Sequence, residues 1–213
     1  DFGETWNSLG YEEFPAPSGN EPKCEELPDG TVVLSSRTGG GRFFNFFTFT
    51  DINKAEGKWG TVAKSQASNN GTFGADCNGE IMIVPAVRNS DGKEVYVALQ
   101  SVPMASSRHN VGIYYKELAS LEDMADPNTF AANWDGNHQA SYIGSAYSTM
   151  IMQANDSIAF LYEESTYGAD YTNVYKSYSL EDITNGAYTF KKEINHTDYI
   201  KALLKEKIDA KKG

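Results

Sequence analysis

The sequence predicts an all-β chain closed by one C-terminal helix, and three observations predict it. Short runs rich in aromatic and β-branched residues, such as RFFNFFTFT (42–50), EIMIVPAV (80–87) and EVYVALQS (94–101), alternate with Gly/Asn/Asp turns such as CNGE and SDGK. Aromatic residues make up 13% of the chain and glycine supplies 19 positions, a composition suited to many strands and tight turns. Helical periodicity is confined to the tail, about 198–211.

The first element, DFGETW (1–6), reads as the back of an S-x-D-x-G-x-T-W turn. In such a turn Asp1 bonds backbone N–H groups, Gly3 takes a positive φ, and Trp6 packs under a hairpin. The partner strand would lie upstream of residue 1, so the chain is expected to be the C-terminal part of a longer one. Pro15, Pro17, Gly19 and Pro22 make residues 11–22 an irregular connection. Strands follow at about 23–27, 31–36 and 42–50, the first two joined by the tight turn LPDG (27–30). The segment TDINKAEGKWG (50–60) is a degenerate echo of the first turn, again ending in a tryptophan, Trp59.

Strands are next expected in TVAKSQ, EIMIVPAV, EVYVALQS and VGIYYKEL. Residues 119–141 are polar, with Trp134 near their end. Then AYSTMIMQ and SIAFLYEE flank the turn AND, and TNVYKSYSL and AYTF follow. Four-strand groups at uneven intervals suggest propeller blades, although the irregular period fits a sandwich as well. The tail helix is expected to be capped by Thr197 or Asp198. Ile200, Leu203, Leu204 and Ile208 would share one face, and Lys207, Lys211 and Lys212 would complement the helix dipole. Such a helix packs against the domain and closes it.

The formal net charge of −11 over 213 residues argues against a nucleic-acid or anionic-membrane partner. An anionic substrate would need a local cluster of arginines, and Arg37, Arg42, Arg88 and Arg108 are all the chain has. Cys24 and Cys77 lack metal-ligand spacing and read as buried free thiols; no metal or cofactor is expected. His109, His138 and His196 are scattered and make no catalytic pair. No apolar run is long enough to span a bilayer.

Three stretches carry side chains of chemical interest. In EPKCEELPDGTVVLSSRTGGGR (21–42), Glu26 precedes the turn, a strand follows, and Arg42 ends a glycine run. An antiparallel hairpin there is expected to bring Glu26 and Arg42 to one rim of a sheet. SSRHNVGIYY sets Arg108 before a strand, and AYSTMIMQANDSIAFLYEE sets Tyr147 near another. Taken singly, Glu26 is a solvated strand-end carboxylate, Arg42 and Arg108 are surface or salt-bridge arginines, and Tyr147 is core or rim packing. Arg37 and Arg88 are read as turn or salt-bridge residues.

Together these pieces, in this order, resemble bacterial exo-α-sialidases (neuraminidases), family 33 of the glycoside hydrolases. The resemblance rests on DFGETW, EPKCEELPDGTVVLSSR with GGGRFFNFFTFTD, SSRHNVGIYYKEL and AYSTMIMQANDSIAFLYEE, and covers most of residues 1–180. It implies a six-bladed β-propeller, of which residues 1–213 would form roughly the last three or four blades of one catalytic domain. It implies a retaining hydrolase that removes terminal sialic acid from glycans or glycoproteins, secreted or periplasmic. In that family three arginines hold the sugar carboxylate, a tyrosine is the nucleophile, a glutamate pairs with it, and an aspartate is the general acid/base.

Carried over residue by residue, Glu26 matches the paired glutamate, Arg42 the second arginine, Arg108 the third, and Tyr147 the nucleophile. No position matches the first arginine or the acid/base aspartate, which the family places in its N-terminal half. That missing half of the propeller is therefore an expected partner, and this chain alone is expected to be inactive. A propeller that binds sialylated glycans without cleaving them is the alternative; a propeller glycosidase of another specificity is a third reading. The residue types suit the chemistry. Sialic acid carries its carboxylate on the anomeric carbon, so a neutral tyrosine avoids the like-charge approach an Asp or Glu nucleophile would make. Such a tyrosine needs a neighbouring base, and guanidinium forks suit the carboxylate.

Overall fold

The computed structural model describes residues 3–6, 14–65, 73–166 and 168–212. These form three antiparallel sheets, each a meander of consecutive strands. In the first, β1 (Asn20–Glu26), β2 (Val32–Thr38), β3 (Gly41–Asp51) and β4 (Glu56–Trp59) lie in chain order, and β5 (Ala63–Ser65) pairs with the free part of β3. The second holds β6 (Ile81–Arg88), β7 (Glu94–Pro103), β8 (Val111–Glu117) and β9 (Gly136–Gln139). The third holds β10 (Ser145–Met152), β11 (Ile158–Thr166) and β12 (Ala169–Tyr178). A last strand, β13 (Tyr188–Phe190), returns to pair with β6. Helices are short, namely α1 (Glu122–Ala125), α2 (Pro127–Ala131) and α3 (Leu180–Thr184), until α4 (His196–Ala210).

Apolar side chains fill the spaces between sheets. One cluster joins the first sheet to the second through Val33, Phe44, Phe46, Ala98, Val102 and Tyr114. Another joins the second to the third through Val97, Leu99, Ile113, Met150, Phe160 and Tyr162. The fold is all-β, a portion of a β-propeller with a short C-terminal helix, as the strand grouping predicts. RFFNFFTFT lies in β3, which is paired on both edges and inserts Phe44 and Phe46 into the aromatic cluster with Phe73, Phe130 and Trp134. Burial on both faces is why that run is continuous rather than alternating.

Three local expectations differ. Trp6 does not pack under a hairpin: it is 89% exposed, its indole N–H donating to the Gly3 carbonyl at 3.1 Å. Asp1 and Phe2 of that turn, and residues 7–13 and 66–72, lie outside the described residues. The echo at Asp51–Trp59 does pack, Trp59 meeting Phe47 edge-on at 5.2 Å. Both cysteines are free, but Cys24 is exposed and only Cys77 is buried.

The tail helix starts two residues early, capped by the Asn195 side chain accepting from the Asp198 N–H. Its buried stripe is Tyr199 and Leu203, with Ile200 partly buried beside them, rather than Ile200, Leu203, Leu204 and Ile208; Leu204 and Ile208 are exposed. Tyr199 rotates the stripe because it does two jobs. Its ring packs edge-on against Tyr96 at 5.0 Å, and its hydroxyl donates to the buried Leu118 carbonyl. Among the described residues, no helix is long and apolar enough to cross a membrane.

Candidate active site

The ends of three strands and one loop converge on the Tyr147 hydroxyl. Tyr147 lies in β10, at a point where pairing with β11 slips between Ser145 and Ser148. Glu21 lies in β1, at a similar slip between Asn20 and Lys23, and its backbone takes a left-handed φ of 47°. Irregularities of this kind twist a strand and re-aim a side chain. Both side chains are thus turned toward the space between sheets, where the Tyr147 hydroxyl donates to Glu21 Oε1.

Arg37, near the end of β2, completes the group. Its Nη1 bonds both Glu21 oxygens, at 3.1 and 3.0 Å, and donates to the Tyr147 hydroxyl oxygen at 3.0 Å. Its Nε donates to Asp76 at 2.6 Å, which fixes the fork and leaves Nη2 without a partner among the described residues. Arg108 sits in the loop between β7 and β8, its guanidinium carbon 5.3 Å from the centre of the Tyr147 ring. That loop is fastened to the start of β10 by a bond from the Ser145 N–H to the Arg108 carbonyl at 2.9 Å and by a bridge between His109 and Gly144.

The electrostatics follow from these contacts. Burial opposes the charge on Glu21, but hydrogen bonds from Tyr147 and Arg37 outweigh it and hold the carboxyl below its ordinary value. The Glu21 hydrogen bond raises the Tyr147 phenol above its ordinary value, against the opposing pull of Arg37 and Arg108. At neutral pH the pair is therefore a protonated phenol on an ionised carboxylate, with two guanidinium groups beside it. The Glu21 and Asp76 carboxylates offset these two charges, so the site gathers two of the chain's four arginines without a net positive charge.

The structure brings Arg108 and Tyr147 together, but it does not bring Glu26 or Arg42 to them. Glu26 pairs with Val32 at the turn end of the β1–β2 hairpin. It lies five residues from Glu21, about 17 Å at ~3.4 Å per residue, and on the opposite face of the strand, since Glu21, Lys23 and Glu25 share the half-buried face. It lines a separate cleft with Leu27, Pro28, Tyr96 and His196.

Arg42 is fully buried. It faces Arg37 across the β2–β3 pair, but its Nε donates to Ser35 Oγ at 2.8 Å and its Nη1 to the Cys77 carbonyl at 3.0 Å. Burial pushes its guanidinium down to about 10. It pins the loop that leads to β6. Glu21 and Arg37 are the residues missed by the reading of the sequence. Arg88 bonds Asp91 and Glu117 and is structural, as expected. Among the described residues, no group of His, Cys, Asp and Glu side chains is arranged to hold a metal ion.

No family model matches the chain, and no curated protein matches it. Solved structures do. The chain is similar to the intramolecular trans-sialidase from Ruminococcus gnavus in complex with oseltamivir carboxylate, at 17% identity and a TM-score of 0.54 over 86% of this chain and 37% of that one. It is similar to a leech intramolecular trans-sialidase complexed with 2,7-anhydro-Neu5Ac, at 18% identity and a TM-score of 0.56 over 88% of this chain and 27% of that one. It is also similar to the NanB sialidase from Streptococcus pneumoniae, at 20% identity and a TM-score of 0.52 over 86% of this chain and 27% of that one. The likeness establishes a sialidase-like fold, of which this chain spans about a quarter to two fifths of the matched lengths.

Proposed function

We propose that this chain is the C-terminal part of the propeller of a retaining exo-α-sialidase that acts on sialylated glycans or glycoproteins, with Tyr147 as nucleophile and Glu21 as its base. The observation that carries the proposal is the Tyr147 hydroxyl held on the Glu21 carboxylate with Arg37 and Arg108 beside it. As the phenol oxygen attacks the anomeric carbon, its proton passes to Glu21, and the leaving alcohol departs with a proton from an acid outside this chain. Arg108 and Arg37 Nη2 grip the sugar carboxylate through charge-assisted bonds. Export of the complete enzyme to the periplasm or beyond belongs to the same proposal, because sialylated glycans lie outside the cell.

Two of the matched structures are intramolecular trans-sialidases, and this favours a second outcome for the same intermediate. Water attacking the tyrosine-linked sugar gives hydrolysis, whereas a hydroxyl of the sugar itself gives an anhydro sugar by intramolecular transfer. The test is turnover of a fluorogenic α-sialoside by the full-length protein and its Tyr147→Phe variant, with mass analysis of the released sugar. Free or anhydro sugar from the wild type alone supports the proposal and selects the outcome. Binding of sialosides without turnover by the wild type replaces it with a glycan-binding propeller.

A further inference from the structure

β1 and β10 belong to different sheets, and no backbone ladder joins them. The placement of Glu21 against Tyr147 therefore rests on side chains. One carboxylate outside the group just described touches both strands: Glu80, at the head of β6. Its Oε2 accepts from Thr149 Oγ1 at 2.8 Å and lies 3.1 Å from Lys23 Nζ. Thr149 follows Tyr147 by two residues on β10, and Lys23 follows Glu21 by two on β1. Lys23 and Thr149 are thus the residues just beyond the slips that aim Glu21 and Tyr147, so these contacts hold each strand within two residues of a reacting side chain.

Glu80 is itself fixed. Its N–H donates to Ser101 Oγ at 2.9 Å, and its carbonyl accepts from the Ser101 N–H at 2.9 Å and from Gln100 Nε2 at 3.0 Å. The preceding residue is Gly79, where a Cβ would lie 1.8 Å from the Ser101 carbonyl oxygen, so this close seating on β7 admits only glycine. The neighbouring carboxylate of Glu25 repels that of Glu80, and Lys23 pairs with Glu80.

We infer that Glu80 is a positioning residue that ties β1 to β10 through Lys23 and Thr149 and thereby holds Glu21 in bonding register with Tyr147. The inference rests on the roles of Tyr147 and Glu21 proposed above. It adds a residue that touches neither the sugar nor the reacting atoms.

The test uses the full-length protein carrying Thr149→Val, Lys23→Met, Glu80→Gln or Glu80→Ala. Thr149 is exposed and Lys23 half-exposed, so their variants fold even if Glu80→Ala does not. Displacement of a reacting group by a fraction of an ångström costs about tenfold or more in rate. Thr149→Val is therefore expected to lower kcat for a fluorogenic α-sialoside by about tenfold with KM within about twofold. Glu80→Ala loses both ties and falls further, and Glu80→Gln, which keeps the Thr149 bond, falls between.

A second readout needs no turnover: titration of the Tyr147 phenol by NMR of 13C-labelled tyrosine. It shifts down in Thr149→Val, where no charge has changed, because the Glu21 bond loosens. Wild-type kcat and an unmoved Tyr147 titration in Thr149→Val overturn the inference, as does a loss of kcat that only matches the fraction unfolded. If the wild type turns over no α-sialoside, the proposed activity fails, and the Tyr147 titration still decides the role of Glu80.

Discussion

The Tyr147 hydroxyl donates to the Glu21 carboxylate across 126 residues of chain, and Arg37 bonds both partners. The proton stays on the phenol and the carboxylate is ionised, with the Arg37 and Arg108 guanidinium groups beside the pair. The functional account of this chain depends on that pair.

Tyr147→Phe is expected to abolish sialoside turnover in the full-length protein, by at least about a thousandfold. Phe keeps the ring against Arg108, so thermal unfolding and far-UV circular dichroism should match the wild type. Wild-type-like turnover in this variant removes Tyr147 from the chemistry.

Two glutamate variants separate the residue placed at the site from the one expected there. Glu21→Gln should lower kcat by about 10²–10⁴ through loss of the base. Glu26→Gln, in its separate cleft, should leave both kcat and KM near wild type. Steady-state kinetics of the pair is sufficient, and the reverse ranking would contradict the geometry.

The location of Glu26 and Glu21 was legible in the sequence through the arithmetic of the hairpin. The turn LPDG lies between Glu26 and Val32, so Glu26 is pinned to the turn end. Counting from the turn sets Glu21 opposite Arg37; the slip in β1 moves the backbone pairing to Asn20, and the Glu21 side chain still bonds Arg37. The next turn, Gly39–Gly40, then sets Arg42 opposite Arg37. What no pattern announced is that Arg42 turns into the packed layer while Arg37 turns out. Nor did it announce the slips in β1 and β10, which aim Glu21 and Tyr147. Period-two alternation predicts regular strands and is blind to an inserted residue. The strand grouping was visible in the strong apolar runs, whereas Tyr147 and Arg108 were singled out only through the resemblance of the stretches that carry them.

Arg37→Lys and Arg42→Leu should fail differently. Lysine cannot reproduce a planar fork, so Arg37→Lys is expected to raise KM, or the Kd for free sialic acid, by about tenfold or more with the melting point little changed. Arg42→Leu leaves the buried Cys77 carbonyl without its donor, while the Ser35 hydroxyl keeps its bond to Gln100 Oε1. The unpaired acceptor costs about 1–3 kcal/mol and lowers the melting temperature. Calorimetry and isothermal titration on the two variants distinguish a binding residue from a buried strut.

Removing the Glu21 charge should relieve the perturbation of Tyr147. Glu21 raises that phenol and burial adds to the rise, while Arg37 and Arg108 lower it. In Glu21→Gln the carboxylate's contribution is gone, so the phenol should titrate at a lower pH than in the wild type. Difference absorbance or NMR titration reads the change. The carboxyl of Glu21 moves in the opposite sense: it is depressed, so the ionised pair persists as pH falls until it passes through that lowered value.

The tail helix offers a test of the fold alone. Leu203 is buried against the first core cluster, and Leu204 is exposed. Leu203→Ala should cost about 2–4 kcal/mol, and Leu204→Ala about 0.5 kcal/mol or less. Equal effects in denaturant unfolding would contradict the helix orientation.

The most direct measurement is covalent trapping. The full-length protein, treated with a 3-fluoro sialosyl fluoride that slows breakdown of the intermediate, is digested and mapped by mass spectrometry. The account predicts one sugar adduct on the peptide containing Tyr147, with its formation slowed in Glu21→Gln and unaffected in Glu26→Gln. An adduct on any other residue, or turnover by wild type with Tyr147 never modified, would contradict it.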